Sequence, residues 1–347
     1  MKILYAIQAT GNGHITRAIE IIPHLKMWGK VDVLLSGSES EIELPFKVKY
    51  RFKGLSFVFG NNGGVDIWQT YKKLHSLRFW KEIKSLPIAK YDLIISDFEP
   101  ISCWAALKAK KPCVGLSNQM ATLHPLAPKP QKIDLLGKWV LQHYAPVDFS
   151  YGFHFKSLDQ QIYTPIIRKE IRQLTITNAG HFTVYLPSYS DKKIIKNLEK
   201  FPTINWVVFS KKAAKAYRSN NVQIEPLSRQ NFAQSMAASA GVVCNAGFGT
   251  TSEALFLGKK LLVIPMKTQF EQHCNAAMLS EMGVRVIKKL SKKHLASIAH
   301  WIEFENPIEV DYPDQTADII KAIVENHGIL PEDAPLEFLN QGLFEQL

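Results

Sequence analysis

The feature that most constrains this chain is a repeated alternation between short, continuously apolar runs and longer stretches of helical periodicity. Ile3–Ile7, Val31–Leu35, Phe57–Phe59, Leu93–Ser96 and Cys113–Leu116 read as strands, with helices over Ile15–Lys26, Trp68–Leu86 and Ile101–Ala109 between them. The rhythm returns with strands at Phe182–Leu186, Trp206–Phe209, Gly241–Cys244, Leu261–Ile264 and Val284–Ile287. Helices over Lys192–Lys200, Asn231–Ala238, Thr251–Leu257, His273–Met282 and Ala317–Glu325 accompany them. Strands apolar on both faces need cover on both faces, and parallel strands joined by crossover helices provide it. The expected class is α/β with two doubly wound domains. A chain of 347 residues, 46% hydrophobic, has room for two cores at ~100–200 residues per domain.

The stretch Ala145–Ala179 lacks the alternation and contains Pro146 and Pro165, so the junction is placed inside it, near residue 160. Beyond Asn326 a connection with Gly328, Pro331 and Pro335 leads to Leu336, Leu339, Leu343 and Leu347 at helical spacing. The expected partition is 1–160, 161–325, and a terminal helix within 326–347 that packs back on the first domain.

Several classes are excluded early. The longest apolar runs, such as Leu261–Pro265, fall far short of the ~20 residues that cross a bilayer. Gln8 ends the first apolar run before it reaches the ~7–15 residues of a secretory signal. The four cysteines (Cys103, Cys113, Cys244, Cys274) have no C-x-x-C spacing, which argues against zinc and a disulfide framework and fits a reducing cytoplasm.

The net charge of +11 is uneven. Residues 1–160 hold 21 Lys/Arg against 13 Asp/Glu, and the remainder 21 against 18. Lys47-Val-Lys-Tyr-Arg-Phe-Lys53 alternates strictly, so a strand there carries its cations on one face. A glycine-rich loop over 60–64 follows, then Trp68, Tyr71, Leu74, Leu77, Trp80, Ile83 and Leu86, with Lys72, Lys73, Arg78, Lys81 and Lys84 among them. A spacing of three drifts ~60° per step on an α-helix, so one unbroken helix would be apolar all round. A solvated edge strand and a covered core helix account for this region. So does a surface for an anionic or lipid-linked substrate at a membrane. No nucleic-acid recognition motif accompanies the charge, and no nucleic-acid partner is expected.

The first strand runs into Ala9-Thr-Gly-Asn-Gly-His-Ile-Thr-Arg17. In a doubly wound domain the first βα turn faces the ligand crevice, and Gly11 and Gly13 allow a tight turn and close backbone approach. Dinucleotide binding would want a third glycine where Thr16 stands, and an acid ending the second strand, where Ser36-Gly-Ser38 stands. NAD is therefore not expected. His14 opens the following helix at this rim, where it can serve as a general base or simply cap and pack the helix. Asp97 ends the strand Leu93–Ser96 at the same rim. It can orient His14 and stabilise its imidazolium, or act as N-cap of the next helix.

In the second half, a strand ends at Cys244 and Asn245-Ala-Gly-Phe-Gly-Thr-Thr-Ser-Glu253 opens a helix. Backbone N–H groups there, with the hydroxyls of Thr250, Thr251 and Ser252, form an anion site suited to phosphate. Glu253 in the first helical turn can accept from two ribose hydroxyls. Pro265 ends the next strand at the same crevice, and Gln269, Glu271 and Gln272 follow.

This ordered set resembles the inverting GT-B glycosyltransferases, which include the peptidoglycan N-acetylglucosaminyltransferase and the UDP-dependent glycosyltransferases. The resemblance is strongest over 241–283 and moderate over 9–17. Phe149-Ser-Tyr-Gly-Phe-His154 and Tyr163-Thr-Pro-Ile-Ile-Arg-Lys-Glu-Ile-Arg172 look typical of a poorly characterised bacterial and archaeal branch. It implies two Rossmann-like domains around a central cleft, with the acceptor in the first and a nucleotide-sugar donor in the second. It further implies that Asn245, Gly247, Phe248, Gly249, Thr250, Thr251 and Ser252 hold the donor diphosphate near Ser188. Glu253 would bind the ribose, Glu271 and Gln272 the sugar hydroxyls, and the loop Leu227–Phe232 would face the nucleobase. His14 would be the base, partnered by Asp97, and neither a metal nor a cofactor is implied. Plant-type enzymes carry Asp-Gln at Glu271-Gln272 and His-x-Gly-x-Asn at Asn245–Gly249, so donor class is better marked than donor identity. A sugar-nucleotide 2-epimerase of the same architecture and a non-catalytic nucleotide-sugar binder remain alternatives.

Overall fold

The computed structural model describes residues 1–37, 42–55, 77–130, 135–267 and 269–329. The expected strand Phe57–Phe59, the 60–64 loop, the front of the Trp68–Leu86 helix and the 336–347 helix lie outside these residues.

The first sheet is built from β1 (Lys2–Gln8), β2 (Lys30–Ser36), β3 (Val48–Phe52), β4 (Leu93–Asp97), β5 (Val114–Ser117), β6 (Phe149–Phe153) and β7 (Ile162–Tyr163). It runs β3-β2-β1-β4-β5-β6-β7, and every neighbouring pair is parallel. Alternation along β1 sends Ile3, Tyr5 and Ile7 to one face and Leu4 and Ala6 to the other. The helix Asn12–Trp28 covers the first face with Ile15, Ala18, Ile21, Ile22 and Leu25. Phe79 and Ile83 of Leu77–Ser85, and Ile101 and Ala105 of Pro100–Ala109, cover the second.

The second sheet contains β8 (His181–Tyr185), β9 (Asn205–Ser210), β10 (Tyr217–Ser219), β11 (Val222–Pro226), β12 (Gly241–Cys244), β13 (Lys260–Val263) and β14 (Arg285–Val286), in the order β10-β11-β9-β8-β12-β13-β14. Among the described residues only β10 is antiparallel, hairpinned onto β11 at the sheet edge. Without that hairpin the order reduces to the same doubly wound pattern as the first sheet. The fold is the expected GT-B arrangement of two Rossmann-like units. Each sheet reverses its strand order at one point, between β1 and β4 and between β8 and β12, and the chemistry-bearing turns sit at those two points.

Two expectations are corrected. The Ala145–Ala179 stretch is not free of sheet: β6 and β7 extend the first sheet there, and Phe149 and Ser150 at its exposed start blur the pattern. The helix expected at Ala317–Glu325 spans Thr316–His327 and belongs with the first sheet. Its Ile319, Ile320, Ile323 and Val324 join the core under Asn12–Trp28.

Candidate active site

Ile7 of β1 is level with Asp97 of β4, so the two strands deliver their following turns to one rim. After β1 the chain turns through Gly11, which precedes the helix with extended backbone, and the positions where Cβ atoms of Gly11 and Gly13 would stand are open. After β4, Phe98 takes φ +55°, a left-handed conformation uncommon for a bulky residue, while its buried ring stacks on Tyr144 at 4.9 Å. That bend leaves the N-cap to Glu99, which accepts from the Ile101 and Ser102 N–H groups at 2.8 and 2.6 Å. Asp97 is thereby free for the rim, and the capping role considered for it falls to Glu99.

The Asp97 carboxylate is wholly buried and meets His14 Nδ1 at 2.8 Å through Oδ1. Arg17, one helical turn after His14, donates through Nε to Oδ2 at 2.9 Å and through Nη2 to Oδ1 at 2.5 Å. Burial pushes the Asp97 pKa up, but the charge of Arg17 and then that of His14 outweigh it and hold the carboxyl below its ordinary value. Asp97 therefore stays ionised beside the imidazole.

The network continues across the cleft. Arg17 Nη1 donates to Asn118 Oδ1 at 3.2 Å, and Asn118 Nδ2 donates to Glu271 Oε1 at 2.7 Å. Gln119 Nε2 donates to Glu271 Oε2 at 2.9 Å and stands 3.5 Å from His14 Nε2, while its own Oε1 is buried without a partner among the described residues. Asn118 and Gln119 open the short helix Asn118–Leu123 at the end of β5, and Glu271 lies in the first turn of Phe270–Glu281 from the second unit. The expected base and the expected sugar-binding carboxylate are thus linked through Gln119 directly and through Arg17 and Asn118 in series.

At the second switch point, Gly247 caps the helix Phe248–Phe256, and the space where Cβ atoms of Gly247 and Gly249 would stand is open. Asn245 accepts from Ser188 Oγ at 3.2 Å and donates to the Ile264 carbonyl at 2.7 Å, tying the turn to β13. Asn275 donates to the Ala246 carbonyl at 3.0 Å and buries an Oδ1 unpaired among the described residues.

Not every expected donor ligand faces the open turn. Thr250 is half-buried there. Thr251 Oγ1 instead donates to the Gly247 carbonyl at 2.8 Å, and Ser252 Oγ to the Phe248 carbonyl at 2.7 Å. Phe248 packs on Phe155 at 5.0 Å and touches the cores of both units. Glu253 is held by Arg168, with Nε to Oε1 at 2.5 Å and Nη2 to Oε2 at 2.7 Å. Gln272 accepts from the Met266 N–H at 3.0 Å and donates to Gln269 at 2.6 Å. Among the described residues no group of three or more His, Cys, Asp or Glu side chains is placed to hold a metal ion.

Residues 1–303 match the family described as Glycosyl transferase family 1. The chain belongs to that family, and it is a glycosyltransferase. No curated protein sequence matches it. Solved structures agree with the fold. A glycotransferase of kitacinnamycin aligns with TM-score 0.58 at 14% identity, over 93% of this chain and 94% of its own. The Arabidopsis thaliana enzyme UGT89C1 complexed with UDP-L-rhamnose aligns at 0.56 and 12%, over 94% and 96%. MurG of Acinetobacter baumannii aligns at 0.55 and 13%, over 94% and 95%. Five residues of this glycosyltransferase's site were not singled out in the sequence: Arg17, Asn118, Gln119, Arg168 and Asn275. The first three carried a usable signal, Arg17 by sharing a helix face with His14, and Asn118 and Gln119 by directly following β5 at the same rim.

Proposed function

We propose that this glycosyltransferase moves a sugar from a nucleoside-diphosphate donor, a UDP-sugar, to a hydroxyl acceptor with inversion and without a metal. The observation that carries this reading is the His14 Nδ1–Asp97 contact at 2.8 Å beside the cleft that ends in Glu271. With Nδ1–H donated to the carboxylate, the imidazole lone pair lies on Nε2, the nitrogen facing Gln119 and the cleft. An acceptor hydroxyl placed there gives its proton to Nε2 as its oxygen attacks the anomeric carbon. The bond to the diphosphate breaks on the opposite side, and a single displacement inverts the centre.

The leaving diphosphate would be met by the open turn Gly247–Thr250 and the first N–H groups of Phe248–Phe256, with Ser188 and Asn245 alongside. Thr251 and Ser252 would act indirectly, by holding that turn in shape. Glu271 would exchange Asn118 and Gln119 for sugar hydroxyls, with Gln272 fixing the loop before it. Glu253 would take the ribose only by sharing its carboxylate with Arg168. The binding of UDP-L-rhamnose by a structural neighbour supports the donor class. The acceptor side falls to the basic first unit, which suits an anionic or lipid-linked hydroxyl compound and a peripheral place on a membrane. No helix among the described residues is long and apolar enough to cross one.

His14→Ala is expected to lower transfer by about 10²–10⁴-fold while leaving UDP binding intact in a thermal-shift titration. Near-normal transfer by the variant removes His14 from the role of base. Release of a 2-epimer from the UDP-sugar, with no acceptor required, replaces transfer by epimerisation.

A further inference from the structure

We propose that Arg17 is a positioning residue that compensates the Asp97 charge, so that Asp97 orients His14 without holding it as an imidazolium. The proposal rests on the reading of His14 as base, and it adds what keeps that base free of a proton.

A carboxylate against an imidazole does two things at once: it fixes the ring and its tautomer, and it raises the ring's affinity for a proton. The second effect harms a general base, because an imidazole that is already protonated cannot accept a proton from the acceptor. Here the carboxylate has a second, permanent partner. The Arg17 guanidinium meets both Asp97 oxygens, at 2.9 and 2.5 Å, and its Nη2 lies 3.1 Å from His14 Nδ1. Arginine does not lose its proton at any working pH, and its planar fork spans a carboxylate as a lysine ammonium cannot. Protonating His14 would therefore put two cations around one carboxylate in a site where Arg17 is 8% exposed and Asp97 not at all.

Arg17 is itself held firmly. Asn118 accepts from Nη1 at 3.2 Å, and the Phe153 ring lies under the guanidinium at 5.5 Å. The other elements around His14 do not supply the missing charge. From β1, Tyr5 lies near Asp97, and burial followed by the Asp97 charge pushes its phenol up, so it stays neutral. From Asn118–Leu123, the neutral Gln119 amide faces Nε2. From Phe270–Glu281, the Glu271 carboxylate stands behind Asn118 and Gln119 and is hydrogen-bonded by both.

The test is a titration of the His14 imidazole by NMR, assigned by comparison with His14→Ala, in the full-length protein and in Arg17→Lys, Arg17→Gln and Arg17→Met. No substrate is needed. The His14 titration is expected to move up by about one pH unit or more in Arg17→Gln and Arg17→Met, because a cation close to the ring is gone. In Arg17→Lys it is expected to stay within a few tenths. The acidic limb of the kcat/KM profile should move with it, so the two neutral variants lose more activity at pH 6 than at pH 8. An unchanged His14 titration in a folded Arg17→Gln or Arg17→Met protein, with activity lowered equally at every pH, overturns the proposal and leaves Arg17 a structural residue. If the titration moves while His14→Ala still transfers sugar, the charge compensation stands and the base assignment fails.

Discussion

His154, directly after β6, is 1% exposed; its Nδ1 accepts from the Phe155 N–H at 2.9 Å and its Nε2 is buried without a partner among the described residues. Burial, then the nearby Lys129 charge, pulls its pKa down to about 4. A histidine whose folded pKa lies below the unfolded value of ~6.5 costs nothing above that pH. As pH falls from about 6.5 towards 4 the unfolded chain takes up a proton that the folded one refuses, and stability drops, by about 3 kcal/mol in all. His154→Asn keeps a short polar acceptor and removes the titration. Urea denaturation should show the wild type losing stability between pH 6.5 and 4.5 and His154→Asn losing distinctly less; equal losses would mean another group sets the acid sensitivity. Residues of this kind were only half legible in the sequence. His14 and Asp97 stood out because one opens the helix after β1 and the other ends β4, at one rim. Arg17 did not, because a charged side chain on an amphipathic helix reads as solvated unless its partner, here 80 residues away, is known. The commitment of Glu253 to Arg168, 85 residues away, was hidden for the same reason.

At the scale of elements, the site depends on where the helix Asn118–Leu123 sits, since its first two residues hold Glu271. That helix packs on β6, and the contact is tight at Gly152: an added Cβ would lie 2.7 Å from the Ala121 backbone nitrogen and 3.0 Å from the Ala121 Cβ. Backbone cannot swing aside as a long side chain can, so the helix itself must shift. Gly152→Ala is expected to destabilise the protein by about 1–3 kcal/mol. It should also raise the KM for the donor. Donor kinetics and thermal melts of the wild type and the variant check this, and an unchanged donor KM would show that the helix position does not matter. The elements around this contact were also the harder ones to read. Central strands such as β12, apolar on both faces, matched their expected limits of Gly241–Cys244. β6 begins exposed and carries its glycine for packing, and the β10–β11 hairpin is polar at the edge. The hydrophobic pattern, which reports burial, says little where burial is partial.

For the molecule as a whole, the described residues cross between the units twice, after β7 and again before Thr316–His327, and the second crossing is anchored where Tyr312 Oη donates to the Phe155 carbonyl at 2.9 Å. The cleft is therefore spanned by two chain segments and by the Glu271 contacts, apart from the charged outer surface of the first unit. On that surface the helix Leu77–Ser85 buries Phe79 and Ile83 but leaves Leu77 81% and Trp80 37% exposed, with Arg78, Lys81 and Lys84 also exposed. Trp80 meets Trp104 edge-on at 6.3 Å, and Trp104 donates to the Tyr144 carbonyl at 3.2 Å, at the end of the helix that exposes Lys138 and Trp139. Exposed tryptophans beside cations suit the boundary of an anionic bilayer, where each Lys or Arg near the surface contributes about 1 kcal/mol. Sedimentation with vesicles should retain the protein on anionic lipid at low salt, release it near 1 M salt, where screening falls to ~3 Å, and leave it free of zwitterionic vesicles. Lys81→Glu with Lys84→Glu should weaken retention by at least about tenfold, because two attractive charges become repulsive. If anionic vesicles fail to hold the wild-type protein at low salt, the basic excess of the first unit has no membrane to meet, and the acceptor must be sought among soluble hydroxyl compounds.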